Sequence, residues 1–428
     1  MPRYLVPVLG ALSLWAAPLA PAKPMPTIAA DSINRLGLEL YRAQLPEAGP
    51  SGVLLSPYSI STALAMTYCG AEGETHAEMQ RVLHFPADPG LTSGSFEALA
   101  RQLTDVVRLS QQRVESLRRD GGDETPMQLN VANRLFVQDG YALRDAFISR
   151  LRERFDAAPE QLDFRRNSAA AREHINAWVA QKTQDRIRDL LPAGQPSPDA
   201  RGVLVNALYL KAAWENEFYA GATQSEPFHL PGGTRADVAT MRATRSLGYE
   251  KRDGYSVVTV PYQTGRLQFV LVVPDATDGL AAVERTLTAE NLASWTRLHA
   301  TKVALHLPSF KLAPPTLSLA RALKSLGLKN AFDRPRGSAN FDGMAPRTPD
   351  TYFYIGEVFH RTWLSLDEHG TEATAATAVV MLAGTSVSLH PEPPPVEVRA
   401  DRPFLFAIQH VDSGACLFLG RVMDPRAE

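Results

Sequence analysis

Residues 56–71, SPYSISTALAMTYCGA, constrain the fold more than any other stretch of the chain. Ser56-Pro57 is a helix-start signal, because serine can accept from an orphan amide and proline fits the first helical turn. The run that follows is almost wholly apolar on every face. Such a helix is stable only when protein surrounds it. With 428 residues and 45% hydrophobic content, the chain can build a core of that size. Length alone would allow two or three domains. No internal repeat and no flexible linker divides the sequence, however.

The other segments alternate between helical and strand periods. ADSINRLGLELYRAQL, ALRDAFISRLRERF and SAAAREHINAWVAQKTQDRI repeat apolar residues every three to four positions. LNVANRLFV, GVLVNALYLKAAW, YSVVTVPY and RLQFVLVVP read as strands, the last two joined by the turn QTGR. VALHLPSFKL, the helix LSLARALKSLGL, FYIGEVFHRTWLSL and PFLFAIQ…GACLFLGRVM close the chain. There is no βαβ period, so the expected class is one α+β domain with several sheets.

Charge and targeting narrow the function. Net charge is −2, with 21% charged residues and no long single-sign block. A nucleic-acid binder would show a basic footprint. Arg101, Arg108, Arg113, Arg118 and Arg119 are interrupted by Asp105, Glu115 and Asp120, and read as a solvated face. MPR followed by YLVPVLGALSLWAAPLA and PA resembles a signal peptide over residues 1–22. A secreted or periplasmic protein with one domain over 23–428 follows. Cys69 and Cys416 either pair after export or stay as two buried thiols. No Asn-x-Ser/Thr acceptor site occurs.

Enzyme signatures are missing. There is no G-x-S-x-G, no Walker A and no H-E-x-x-H, and the ten histidines lack ligand spacing. No cofactor, metal or catalytic residue is expected. One segment is odd: DEHGTEATAATAVV (367–380) leads a run free of proline and glycine from Thr371 to Ala383, with Glu372 as its only charge. That composition suits a strand, yet it precedes the loop-like GTSVSLHPEPPPVEV.

The ordered set SPYSISTALAMTYCGAEGETHAEM, LNVANRLFVQDGYALRDAF, INAWVAQKT, LVNALYLKAAWENEF, ANFDGM, FHRTWLSLDEHGTEATAAT and ADRPFLFAI…LFLGRVMDP resembles the serpin family from about residue 30 to 426. The resemblance implies three β-sheets, eight or nine helices and an exposed reactive loop at about 368–398. In inhibitory serpins a protease cuts this loop, and its N-terminal arm then enters the central sheet as a new strand. The fifteen residues from Gly370 to Gly384 would span about 50 Å when extended, enough to carry an attached protease from one pole to the other.

Strand alternation assigns faces to that arm. Thr371, Ala373, Ala375 and Thr377 would point inward. Glu372, Thr374, Ala376 and Ala378 would point outward, with the charge on the wetter side. The resemblance further implies a hinge at Glu368 and Gly370 to Thr377, a hydrogen-bonded cluster of Ser56, Ser59, Asn206 and His360 beneath the sheet, and Trp214 with Glu368 at its top. The family's lysine partner for the hinge glutamate is replaced by Ser309, leaving Lys311 or another base to substitute. The usual Gly-Lys after AQKT is replaced by Gln184-Asp185-Arg186.

Family spacing puts the reactive bond at Gly384–Thr385, with Met381, Leu382 and Leu389 as alternatives, since glycine anchors few protease pockets. No Lys or Arg lies between Gly370 and Val398, which disfavours trypsin-like targets. The expectation is a monomeric inhibitor of elastase-, subtilisin- or chymotrypsin-like serine proteases, with papain-like cysteine proteases also open. Insertion of the same strand into a neighbouring molecule would give polymers. The alternatives are a non-inhibitory serpin-fold binding or storage protein, and a secreted hydrolase with an unrecognised site.

Overall fold

The computed structural model describes residues 25–49, 51–119, 121–348, 351–372 and 393–426. The helix Pro57–Tyr68 is buried along its whole length, as its composition requires. Ser56 caps it, its Oγ accepting from the Ser59 amide at 3.2 Å. Around it lie the helices Met25–Ala48 and Pro89–Arg119, and two sheets. The described residues contain nine α-helices in all.

One sheet is built on the central strand Gly202–Ala213. Gln128–Gln138 pairs antiparallel along one side of it, and Glu357–Thr362 pairs parallel along the other. The two faces of this sheet separate by parity. Leu204, Leu208 and Leu210 join the main core with Ile60 and Leu64, whereas Val203, Val205 and Ala207 join a smaller core under the helix Phe164–Lys182. The sheet is therefore buried on both sides, which explains its near-continuous apolar strands.

The second sheet holds nine strands in the order set by hydrogen bonding. The three expected sheets are joined into two hydrogen-bonded networks among the described strands. The reason is one long strand, Arg235–Arg252. It pairs with Gln224–His229 over its first part, with His299–Pro308 from Thr240 to Tyr249 and with Tyr255–Pro261 at its end, so two layers share one continuous backbone.

The arginines of Pro89–Arg119 lie outward, opposite Phe96, Leu99, Leu103, Val106 and Val114. Cys69 and Cys416 are free and buried, without a disulfide. Burial pushes the Cys69 thiol up to about 11, and Cys416 higher still. No helix among the described residues is long and apolar enough to cross a membrane. The expected signal segment, 1–22, lies outside the described residues.

The buried helix sets a measurable expectation. Leu64 is fully buried, so Leu64→Ala removes apolar contacts and leaves a cavity. Urea unfolding of this variant should show a loss of about 2–5 kcal/mol. A loss below about 1 kcal/mol would mean that the helix is not the enclosed centre described above.

Candidate functional site

The central sheet has a seam. Over Val203–Leu208 the central strand pairs directly with Glu357–Thr362, residue against residue. Higher up, the next strand, Leu364–Asp367, no longer pairs with the central strand. Gly370–Thr371 sits between them as a two-residue strand, antiparallel to both. The sheet is thus closed below and wedged open at its top.

Three polar residues meet in register across the closed part. Asn206 faces His360 on one side and Asn133 on the other. All of them lie on the face that packs against the buried helix. The Ser56 amide donates to His360 Nε2 at 3.0 Å. The His360 proton therefore sits on Nδ1, which donates to Asn206 Oδ1. Asn206 Nδ2 donates to the Phe359 carbonyl at 3.0 Å. Ser59 Oγ donates to Asn133 Oδ1 at 2.8 Å, and Asn133 Nδ2 returns a bond to the Ser59 carbonyl at 3.1 Å. Ser56, Ser59, Asn206 and His360, named from the sequence, come together here. Asn133 belongs with them and was missed. Its signal was legible, because it is the polar residue on the inward parity of LNVANRLFV, beside Leu135 and Val137.

Burial holds His360 neutral and pulls its pKa down to about 3. Protonation would add a charge where no counter-ion waits and would break the bond accepted from Ser56.

At the top, the turn Asp367–Gly370 docks on the segment after the central strand. Trp214 N–H donates to the His369 carbonyl and its indole N–H to the Asp367 carbonyl, both at 2.9 Å. Phe218 N–H donates to the Glu368 carbonyl at 2.9 Å. Trp214 stacks on Tyr262, with ring centroids 4.7 Å apart. Gly370 has φ +146, and a Cβ there would meet the Ala212 carbonyl oxygen at 2.1 Å, so only glycine fits. Thr371 is buried, its hydroxyl 2.6 Å from that of Tyr262.

Two expectations change. In place of the expected lysine pairing, Glu368 Oε1 accepts from the Thr223 hydroxyl at 2.5 Å. Ser309 lies elsewhere, bonded to the Ala239 carbonyl at 3.4 Å. A hydroxyl satisfies the carboxylate without a second charge. Glu372 was placed on a wet face, yet its side chain is only 10% exposed. It pairs with Arg186, whose guanidinium lies 4.8 Å over the Trp363 ring. Glu372 itself has φ +48, and Gln184 and Asp185, just before its partner, have φ +50 and +61. The missing glycine of AQKT-QDR thus shows up as two residues in the left-handed region, where non-glycine side chains are disfavoured. Thr223, Tyr262 and Arg186 had no local signal for these roles; each arrives from a distant part of the chain. Ala373, Thr374, Ala375, Ala376, Thr377, Met381, Leu382, Gly384, Thr385 and Leu389 lie outside the described residues.

The family model described as Serpin (serine protease inhibitor) matches residues 31–425. Serpin B10 of Rattus norvegicus is 32% identical over 406 residues, covering 92% of this chain and 98% of that protein. Leukocyte elastase inhibitor of Sus scrofa is 33% identical over 403 residues, with the same coverage of each. Among solved structures, Serpin48 of the insect Tenebrio molitor superposes with a TM-score of 0.75 at 26% identity, covering 92% of this chain and 98% of that one.

The histidine cluster predicts acid sensitivity. The folded pKa of His360 lies below its ordinary value of 6.5, and that of His410 is lowered to about 4, again by burial. The unfolded chain therefore takes up protons first. Stability is intact above pH 6.5 and falls as pH drops toward 3–4. Between pH 6.5 and 5 each histidine should cost about 2 kcal/mol. In urea titrations across this window, His360→Gln should lose about half of the pH dependence. An unchanged slope would remove His360 as the sensor.

Proposed function

This chain belongs to the serpin family, and we propose that it inhibits proteases by trapping them as an acyl complex, through insertion of its cleaved loop into the central sheet. The observation that carries this reading is Gly370–Thr371 seated between Leu364–Asp367 and Gly202–Ala213. The hinge already occupies the first step of the slot that the whole arm would fill.

The energetics favour that direction. Insertion exchanges one parallel pairing, Glu357–Thr362 on Val203–Leu208, for two antiparallel ones, which are slightly more stable per residue. It also gives ladder partners to a proline-free, β-prone arm. Opposing it is the buried cluster at the seam, whose His360–Asn206 bond spans the strands that must part. The loop is then a bait, and the closed seam is the barrier that keeps the molecule in its uncleaved state until a protease severs the arm. Hydrolysis by this chain itself is not part of the reading; the protease supplies the nucleophile.

Absence of Lys and Arg from Gly370 to Val398 favours targets with apolar or small pockets, elastase-, subtilisin- or chymotrypsin-like. A relative is named leukocyte elastase inhibitor, which supports the same class. Gly384–Thr385 is proposed as the reactive bond on spacing, with Met381, Leu382 and Leu389 as alternatives. Residues 1–22, basic and then apolar, support export of the domain, to act as a monomer outside the cytoplasm. One observation favours the alternative of a storage or binding serpin: Arg186 holds Glu372 directly behind the wedge, an added brake on insertion.

Mixing the protein with elastase and with subtilisin decides between them. An inhibitor gives a complex stable to boiling in detergent, a small C-terminal fragment and a higher melting temperature once the loop is cut. Clean cleavage across a broad protease panel, with no complex and no rise in melting temperature, overturns the inhibitory reading. Thr371→Arg places a charge where Thr371 is buried against Tyr262. That variant should be cleaved as a substrate, with the inhibitor consumed per protease rising more than about tenfold. Inhibition equal to wild type would mean that Thr371 does not face the core in the inserted strand.

A further inference from the structure

At the end of the sheet remote from the hinge, where the central strand begins, four arginines line one cleft of about 730 Å³. Arg201 directly precedes the strand Gly202–Ala213. Arg334, Arg336 and Arg347 come from the loop before Glu357–Thr362. Two carboxylates also line the cleft, Asp199 and Asp333. Asp333 is spent on shaping the loop: Oδ1 accepts from the Gly337 amide at 2.7 Å, and Oδ2 from the Tyr352 hydroxyl at 2.8 Å. Arg347 is held in place, donating to the Ala339 and Gly337 carbonyls at 2.7 Å each and lying 4.7 Å over the Tyr352 ring. Arg201, Arg334 and Arg336 make no salt bridge among the described residues.

Guanidiniums outside a salt bridge are forks that match phosphate or carboxylate oxygens two at a time, and Arg336, which meets the Tyr352 hydroxyl, keeps further N–H groups to offer. Several around one cleft, with one arginine fixed by its neighbours, suit a ligand carrying more than one acidic group. The volume fits a small molecule, and the chain as a whole is weakly acidic, at −2, which does not suit an extended polyanion. We propose that this cleft is a binding site for a small polyanion with clustered anionic oxygens, of the condensed-phosphate or polycarboxylate kind.

The place of the cleft gives such a ligand a consequence. Its walls are already joined by the Gly356 amide on the Gly202 carbonyl at 2.9 Å and by the Tyr354 hydroxyl on the Asp199 carbonyl at 3.2 Å. These walls lead into the two strands that pair across the seam. A polyanion bridging Arg201 to Arg334 and Arg336 fastens both sides and resists their parting. This second step rests on the insertion reading above; binding does not.

Calorimetric titration of the full chain with tripolyphosphate, at low ionic strength, tests the site. Saturable binding of one ligand per chain is expected. Kd should weaken more than about tenfold in the double variant Arg334→Glu, Arg336→Glu. It should stay unchanged in Arg113→Glu, Arg118→Glu on the exposed face of Pro89–Arg119. Unsaturable binding, or equal weakening in both double variants, overturns the proposal. A parallel titration with citrate identifies the source: tighter binding than tripolyphosphate assigns the site to polycarboxylates, weaker binding to phosphates. Saturating tripolyphosphate should also slow formation of the protease complex in wild type but not in Arg334→Glu, Arg336→Glu. Binding without slowing keeps the site and overturns its coupling to the seam. Should no protease complex form at all, the titration still reads the site by itself.

Discussion

The parallel pairing of Glu357–Thr362 with the lower half of the central strand is the contact on which everything else turns. It closes the lower half of the sheet, and it is the weaker of the two kinds of ladder. What holds it is underneath. His360 and Asn206 bond across the seam, and the Ser56 amide fixes the imidazole from the end of the buried helix. The wholly enclosed helix thus does more than fill space. Its N-terminus points an orphan amide at the one ring that spans the two strands.

The upper end of the seam obeys a different constraint. Gly370 lies against the Ala212 carbonyl, where any Cβ would collide, and this lets Thr371 drop between two strands. The wedge stops one residue later, at Glu372, which adopts a left-handed backbone and is covered by Arg186. Arg186 in turn follows two left-handed residues that replace an expected glycine. Strain and charge are therefore gathered at one point, where the described part of the loop ends, while the lower seam is held by neutral hydrogen bonds. Neutral bonds suit the seam, because a buried charge there would cost more than it stabilised.

Much of this was legible in residue patterns. The enclosed helix, the strands buried on both faces and the alternation that puts Thr371 inside all follow from period and polarity. So did the isolation of Ser56, Asn206 and His360 as polar residues in apolar runs, once the resemblance supplied a reason to group them. Asn133 was equally legible, by parity, and was overlooked. Thr223, Tyr262 and Arg186 were not. Each reaches the hinge from at least a hundred positions away in the chain, and nothing beside them in sequence marks the meeting. The merging of two expected sheets into one network was hidden for a similar reason. Whether Arg235–Arg252 runs unbroken depends on which strands flank it.

By itself, the sequence determined what must be buried, what can become a strand, and that residues 370–398 carry no Lys or Arg. Those are local properties of side-chain period, polarity and backbone freedom. Only the tertiary structure decided which hydroxyl satisfies Glu368, which cation covers Glu372, and that four arginines from two segments share one cleft. Partners of a charge are chosen by proximity in space, and proximity is settled by how the sheets close around the helix.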